Sequence, residues 1–224
     1  MHVSELPDRS QDYLKAIWNI AEYSREPAQL GELAARVGQK TTTAAEAIRR
    51  LSAKGLVESE PYRGVTLTEQ GNELAVAMVR RHRLLETFLV QVLGYTWDEV
   101  HDDAELLEHS VSDRFMERID AHLGHPERDP HGDPIPDARG RVGVVGWVGL
   151  DTVGAGETVT VEQTEDRDPQ LLRYLAEHGL VPGTRLTVLG PPLAGIVKVR
   201  AGDGREVMLA ESSLGAIRVR PDSG

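Results

Sequence analysis

The nine residues from His101 to His109 read HDDAELLEH. On a helix turning about 100° per residue, positions 101, 105, 108 and 109 fall within one arc of about 100°. His101, Glu105, Glu108 and His109 therefore share a face. Upstream, His82 and Glu86 are one helical turn apart and also face the same way. Two antiparallel helices would bring these sets together. The plainer reading of a charged helical stripe is a solvated surface. Here the stripe has no Lys or Arg among its acids, and like charges at this spacing repel unless a cation neutralises them. The pattern points to metal binding.

The donor types narrow the metal. The chain has no cysteine, so it has no thiolate site, no disulfide and no cysteine nucleophile. Carboxylate oxygen with imidazole nitrogen suits Mn(II) or Fe(II) better than Cu(I) or structural zinc. A di-iron enzyme would need repeated Glu-x-x-His pairs, which the stripe lacks. A P-loop and a G-x-S-x-G motif are also absent, so a dimetal enzyme is the distant alternative.

With 224 residues, the chain is long enough for two or three compact units. No apolar run approaches the roughly 20 residues that cross a bilayer. The start, MHVSELPDRSQDYLK, lacks the pattern of a signal peptide, so a cytoplasmic location is expected. A net charge of −11 argues against a nucleic-acid partner until its distribution is considered. Residues 36–54 carry Arg36, Lys40, Arg49, Arg50 and Lys54 against Glu46 alone, a net +4. Residues 76–128 carry 6 basic and 11 acidic side chains, a net −5. A basic element joined to an acidic middle suggests two jobs.

The basic element has a recognisable order. Residues 10–23 place Tyr13, Leu14, Ile17, Trp18 and Ala21 on one helical face. A short helix over 29–36 follows, with Leu30, Leu33 and Ala34 inward. After Gly38, one of Thr41, Thr42 or Thr43 is expected to cap a third helix that runs to Lys54 and buries Ala44, Ile48 and Leu51, with Gly55 at its end. Two β-prone runs around Pro61-Tyr62-Arg63-Gly64 complete a winged helix-turn-helix. The bland alternative, a helical hairpin in a core, explains neither the wing nor the charge.

Residues 72–93 predict a long helix with a stripe of Leu74, Met78, Leu85, Phe88, Leu89 and Val92. Thr96-Trp97-Asp98-Glu99 reads as a capping box opening the next helix, and a further helix spans Ser112–Leu123. Apolar-faced helices outside a small winged domain suggest a partner subunit. DPHGDPIPDARG (129–140) reads as a Pro/Gly-rich linker. Beyond it, VGVVGWV, TVTVEQT, RLTVLG, GIVKVR, REVML and AIRVR read as strands of a small barrel, with one helix near 169–178.

With these residues in view, the chain resembles the diphtheria-toxin-repressor family of metal-dependent regulators, in its manganese-transport-regulator branch. QDYLKAIW, the winged helix, VRRHRLLETFL, EVHDDAELLEHSVSD and DPHGDPIP carry the resemblance, which spans nearly the whole chain. It implies an α+β chain: a winged helix-turn-helix over 1–72, a helical dimerisation and metal-binding domain over 73–128, the linker over 129–140, and an SH3-like FeoA-type domain over 141–224. The implied function is a homodimeric repressor, activated by Mn(II) or alternatively Fe(II), that binds double-stranded operator DNA, with no membrane partner and about two metal sites per subunit.

Carried over residue by residue, the resemblance makes Asp12, Glu105, Glu108 and His109 the primary site. The iron branch has methionine and cysteine where this chain has Asp12 and Glu105, which favours manganese. Lys15 stands where some manganese-branch members have a further glutamate. A second site would use His82, Glu86 and His101, completed by Asp168, with Gln170 in reserve; the alternative for Asp168 is a helix cap. For DNA, Lys40, Thr41, Thr42, Thr43, Arg49, Arg50 and Arg63 are candidate phosphate contacts, and Ala45 and Glu46 face base edges. A winged-helix regulator that responds to a small molecule, with the acidic stripe as plain surface, is the remaining rival.

Overall fold

A computed structural model describes every position except 25, 61, 62, 144, 145, 223 and 224. It divides the chain into two compact units. The first comprises residues 1–82, 108–111 and 136–141, and the second residues 83–107, 112–135 and 142–224.

In the first unit, α1 (Asp8–Ser24), α2 (Leu30–Arg36) and α3 (Thr41–Ala53) precede the antiparallel pair β1 (Val57–Glu60) and β2 (Gly64–Leu67). Val57 pairs with Leu67 and Glu60 with Gly64, so the strands form a hairpin wing. Pro61 and Tyr62 of its tip lie outside the described residues. The core holds Tyr13, Leu14, Ile17, Leu33, Ala34, Ala44, Ile48 and Leu51, nearly the expected apolar faces. On α1, however, Ile20 is buried and Ala21 is exposed, and Gln11 and Lys15 are buried among apolar neighbours. The cap of α3 also differs: Thr41 is already helical, and Lys40 occupies the cap without a side-chain hydrogen bond.

The long helix α4 (Glu69–Leu93) begins in the first unit and ends in the second. From Leu74 to Leu89 it is buried almost all round, so Arg81, His82, Arg83, Glu86 and Thr87 must find polar partners inside the protein. Within the second unit follow α5 (Val100–Leu107) and α6 (Asp113–His122). Half of the expected capping box forms, with Thr96 N donating to Glu99 Oε1 at 3.1 Å, but the helix itself starts only at Val100. Ser112 caps α6 through the Phe115 N–H.

The remainder of this unit is one antiparallel sheet of six strands, in the order β3 (Val148–Gly149), β8 (Ile217–Pro221), β4 (Thr158–Thr164), β5 (Arg185–Val188), β6 (Ile196–Ala201) and β7 (Glu206–Ala210). Strands β6 and β7 alternate strictly between buried and exposed side chains, so one face builds a core with Val161, Leu172, Leu175 and Val219. Of the expected strand VGVVGWV only Val148 is in a ladder, and Val144 and Val145 lie outside the described residues. Helix α7 (Pro169–Glu177) packs Leu172 and Leu175 into that core.

The Pro/Gly-rich stretch, expected as a linker, is a partly buried, hydrogen-bonded turn. Its residues 129–135 belong to the second unit and 136–141 to the first. Asp129, His131, Asp133 and Ile135 are buried. The Asp129 carboxylate accepts the N–H groups of His131 and Asp133, both at 2.9 Å. Gly132, at φ +91°, turns so close to a strand that a Cβ would sit 2.0 Å from the Glu162 carbonyl oxygen. The composition that suggests a tether here serves a tight turn.

Candidate metal centres

In the first unit Asp12, Glu108 and His109 converge, each offering a donor atom within 4.8 Å of the others. Asp12 comes from the first turns of α1, and Glu108 and His109 directly follow α5 in sequence. His109 Nε2 lies 2.9 Å from Asp12 Oδ1 and 3.6 Å from Glu108 Oε1. Its other ring nitrogen, Nδ1, is 3.1 Å from Gln11 Oε1, and the Gln11 amide is oriented by donating to the Leu6 carbonyl at 2.8 Å. Nδ1 therefore carries the hydrogen, and Nε2 is presented toward the carboxylates, the arrangement metal-bound imidazoles use. The hydrogen bond to Asp12 raises the His109 pKa, burial opposes this, and Glu108 adds to the rise.

Glu108 is fully buried, and two further groups hold it. Lys15 Nζ lies 2.6 Å from Oε1, and His82 Nδ1 lies 2.7 Å from Oε2. An ammonium of the chain itself thus shares the carboxylate that the resemblance assigns to a metal. His82, expected at the second site, is in this unit a partner of Glu108. Gln11 carried no sequence signal beyond its place on α1, and Lys15 only its departure from the family pattern.

A second set lies within the second unit. His101 Nδ1 is 3.3 Å from Glu86 Oε1 and 3.1 Å from Asp166 Oδ2. Burial alone would lower the His101 pKa, but hydrogen bonds to Asp166 and Glu86 push it up to about 11. Asp166 is held far below the usual carboxylate range: burial opposes this, and the bond to His101 outweighs it. Glu105, a turn along α5, lies 3.8 Å from His101 Nε2. The carboxylate beside His101 and Glu86 is that of Asp166, where Asp168 was expected. Asp168 instead caps α7, its Oδ1 accepting from Gln170 N at 2.9 Å and Leu171 N at 3.1 Å, and Gln170 sits in the first turn of that helix. Two residues of offset at the mouth of a helix separate a cap from a partner of His101, and spacing along the sequence does not register that difference.

The expected DNA-facing residues are free of the core. Lys40, Thr41, Thr42, Thr43, Ala45, Glu46, Arg49, Arg50 and Arg63 are all exposed, while Ala44, Ile48 and Leu51 turn inward. Glu46 pairs with Arg50 at 3.1 Å and Glu60 with Arg63 at 3.2 Å, which leaves Arg49 beside a cleft of about 450 Å³ between α3 and the wing. Among the described residues, no helix is long and apolar enough to cross a membrane.

A winged helix-turn-helix joined to oxygen- and nitrogen-donor clusters defines a class of metal-responsive DNA-binding proteins. Residues 5–65 match the family described as iron dependent repressor, N-terminal DNA binding domain, residues 68–137 its metal binding and dimerisation domain, and residues 148–221 the FeoA domain. The iron-dependent repressor IdeR of Mycobacterium tuberculosis (strain ATCC 25618 / H37Rv) is 32% identical over 97% of this chain and 99% of its own. The diphtheria toxin repressor of Corynebacterium diphtheriae is 31% identical over 70% of this chain and 63% of its own. Among solved structures, a manganese-dependent transcriptional repressor in complex with manganese aligns with a TM-score of 0.90 and 50% identity, covering 95% of this chain and 99% of that one. The manganese regulator SloR aligns at 0.80 with 32% identity, covering 95% and 98%. The chain belongs to the iron-dependent repressor family: it is a metal-dependent transcriptional repressor, with DNA-binding, dimerisation and FeoA domains, and not an enzyme.

Proposed function

We propose that this chain is a Mn(II)-activated repressor that binds operator DNA as a homodimer. The observation that carries the metal is the donor set. Asp12, Glu108 and His109 in one unit, and Glu86, His101 and Asp166 in the other, present only oxygen and nitrogen. Such sets favour a hard divalent ion, and both are buried enough to hold their donors rigidly. The 50% identity to a repressor described with manganese points the same way.

When bound, the ion supplies positive charge to carboxylates that otherwise repel one another. The residues do the rest. Gln11 turns His109, while Asp12 and Glu108 hold α1 to residues 108–111. The chain just before Glu108 is α5, which with the end of α4 and with α6 exposes Val92, Leu93, Leu106 and Phe115. This apolar set supports a subunit interface. Lys40, Arg49 and Arg63 supply phosphate contacts, and Ala45 and Glu46 meet base edges. Metal and DNA binding must then reinforce each other by the same factor.

The test is anisotropy with an operator fragment and Mn(II), anaerobic Fe(II), Zn(II) or no metal, on the wild type, Glu108→Ala and Arg49→Ala. Tight binding with Mn(II), lost in Glu108→Ala, is expected. Arg49→Ala weakens binding to all sequences alike and reduces the slope against log[salt] by about one. Equal activation by Fe(II) would transfer the assignment to iron, and binding indifferent to every metal would refute it.

A further inference from the structure

The sheet β3–β8 and helix α7 build a core of their own, within the residues that match the FeoA domain. Among the described residues, one buried member of that core comes from outside 148–221. It is Trp97, 9% exposed, in the short connection between α4 and α5. We infer that Trp97, with Asp98 beside it, docks the FeoA domain onto the start of α5 and thereby positions Asp166 against His101. Since the ion concerned is the one of the Glu86, His101 and Asp166 set, this rests on the repressor reading.

The connection is tied at side chain and backbone alike. The Trp97 ring shares its core with Leu150, Val161, Leu172 and Leu175. It also stacks on His131, with centroids 5.9 Å apart and planes 19° from parallel. The Trp97 carbonyl accepts from His131 Nε2 at 2.7 Å. The next residue adds a charge pair: Asp98 Oδ2 accepts from Arg173 Nε at 3.1 Å and lies 3.0 Å from Nη2. Arg173 belongs to α7, whose Leu172 and Leu175 lie in the same core as the indole. An indole buries about 200 Å² of surface, so Trp97 is the main anchor. The Arg173 side chain is 62% exposed, which makes the ion pair the lesser one.

The segment held in this way carries the carboxylate. Asp166 lies between the end of β4 at Thr164 and the start of α7 at Pro169. Thr164 N donates to the His131 carbonyl at 2.9 Å and Glu165 N to the Ala216 carbonyl at 2.8 Å, so the two residues before Asp166 are fixed. On the other side, His101 is the second residue of α5, four positions after Trp97. The two meet with Asp166 Oδ2 3.1 Å from His101 Nδ1. A carboxylate already held there needs little further ordering when an ion arrives, and such preorganisation appears as affinity. By linkage, an ion at this set must stabilise the docked domain by the same factor. The indole N–H has no hydrogen-bond partner among the described residues, so the ring serves as an apolar plug and not as a polar contact.

The experiment is a calorimetric Mn(II) titration of the full chain, comparing the wild type with Trp97→Ala, Trp97→Phe and Arg173→Ala. The second ion is identified as the binding step that Asp166→Asn removes. Trp97→Ala is expected to weaken that step by at least about tenfold and to leave the step at Asp12, Glu108 and His109 unchanged. Trp97→Phe keeps the plug and omits the N–H, and should bind as the wild type does. Arg173→Ala leaves the core intact and is expected to weaken the second step by about twofold to fivefold. Wild-type affinity at that step in Trp97→Ala, or in Arg173→Ala if the first variant does not fold, would overturn the inference. So would a loss in Trp97→Phe as large as that in Trp97→Ala. A wild type with a single step that Asp166→Asn leaves untouched would overturn it alone, and the repressor reading would stand. A wild type that binds no manganese would sink both.

Discussion

The two ligand sets are made of the same side chains, yet they handle charge differently. In the first unit, Glu108 has the Lys15 ammonium at 2.6 Å in addition to His82 and His109. In the second, His101 bonds to Glu86 and Asp166, and the positive charge available there is a proton on the ring. One set carries a permanent cation on its shared carboxylate, and the other carries its positive charge on an imidazole.

Removing the shared carboxylate is the strongest way to break this comparison. Glu108→Gln strands a buried ammonium, and the metal-free protein is expected to lose about 3–5 kcal/mol, read as a fall in denaturation midpoint, along with manganese binding at His109. The second set should keep its ion. A metal-free stability equal to wild type would mean that Lys15 is not paired in solution. Next in size is Lys15→Met, which makes the first set depend wholly on an outside cation. The metal-free form should lose stability, and added Mn(II) should raise its melting temperature by more than it raises that of the wild type. Equal shifts would show that Lys15 and the ion do not compete.

Asp166→Asn should weaken manganese at the second set by at least about 10-fold to 100-fold, measured calorimetrically, with the first set unaffected. Asp168→Ala should cost about 1 kcal/mol of stability as a lost helix cap and leave metal affinity alone. If Asp168→Ala weakened metal instead, the roles of the two aspartates would be exchanged. Gln11→Leu is expected to have the smallest effect on metal among the ligand-shell variants, about tenfold at the first set, because it frees the His109 ring without removing a ligand.

Much of this was legible in the chain. The order of helix, turn, helix and hairpin followed from apolar spacing and from Gly38, Gly55 and Gly64, because local periodicity and turn chemistry act over a few residues. The shared face of His101, Glu105, Glu108 and His109 is likewise helical geometry. The family resemblance then selected Asp12 as a partner for Glu108 and His109, which spacing alone does not reach.

What the amino-acid sequence determined by itself is therefore the local inventory: which donors lie together on a helix, where the wing falls, and which face of α3 is free. What only the tertiary structure decided are the pairings across long stretches of chain. Lys15 meets Glu108 from 93 positions away, His131 meets the Trp97 carbonyl across 34, and Asp166 meets His101 while Asp168 caps α7. These contacts arise because a buried charge must find a partner wherever packing brings one within reach, and that reach is set by the fold and not by neighbours in sequence.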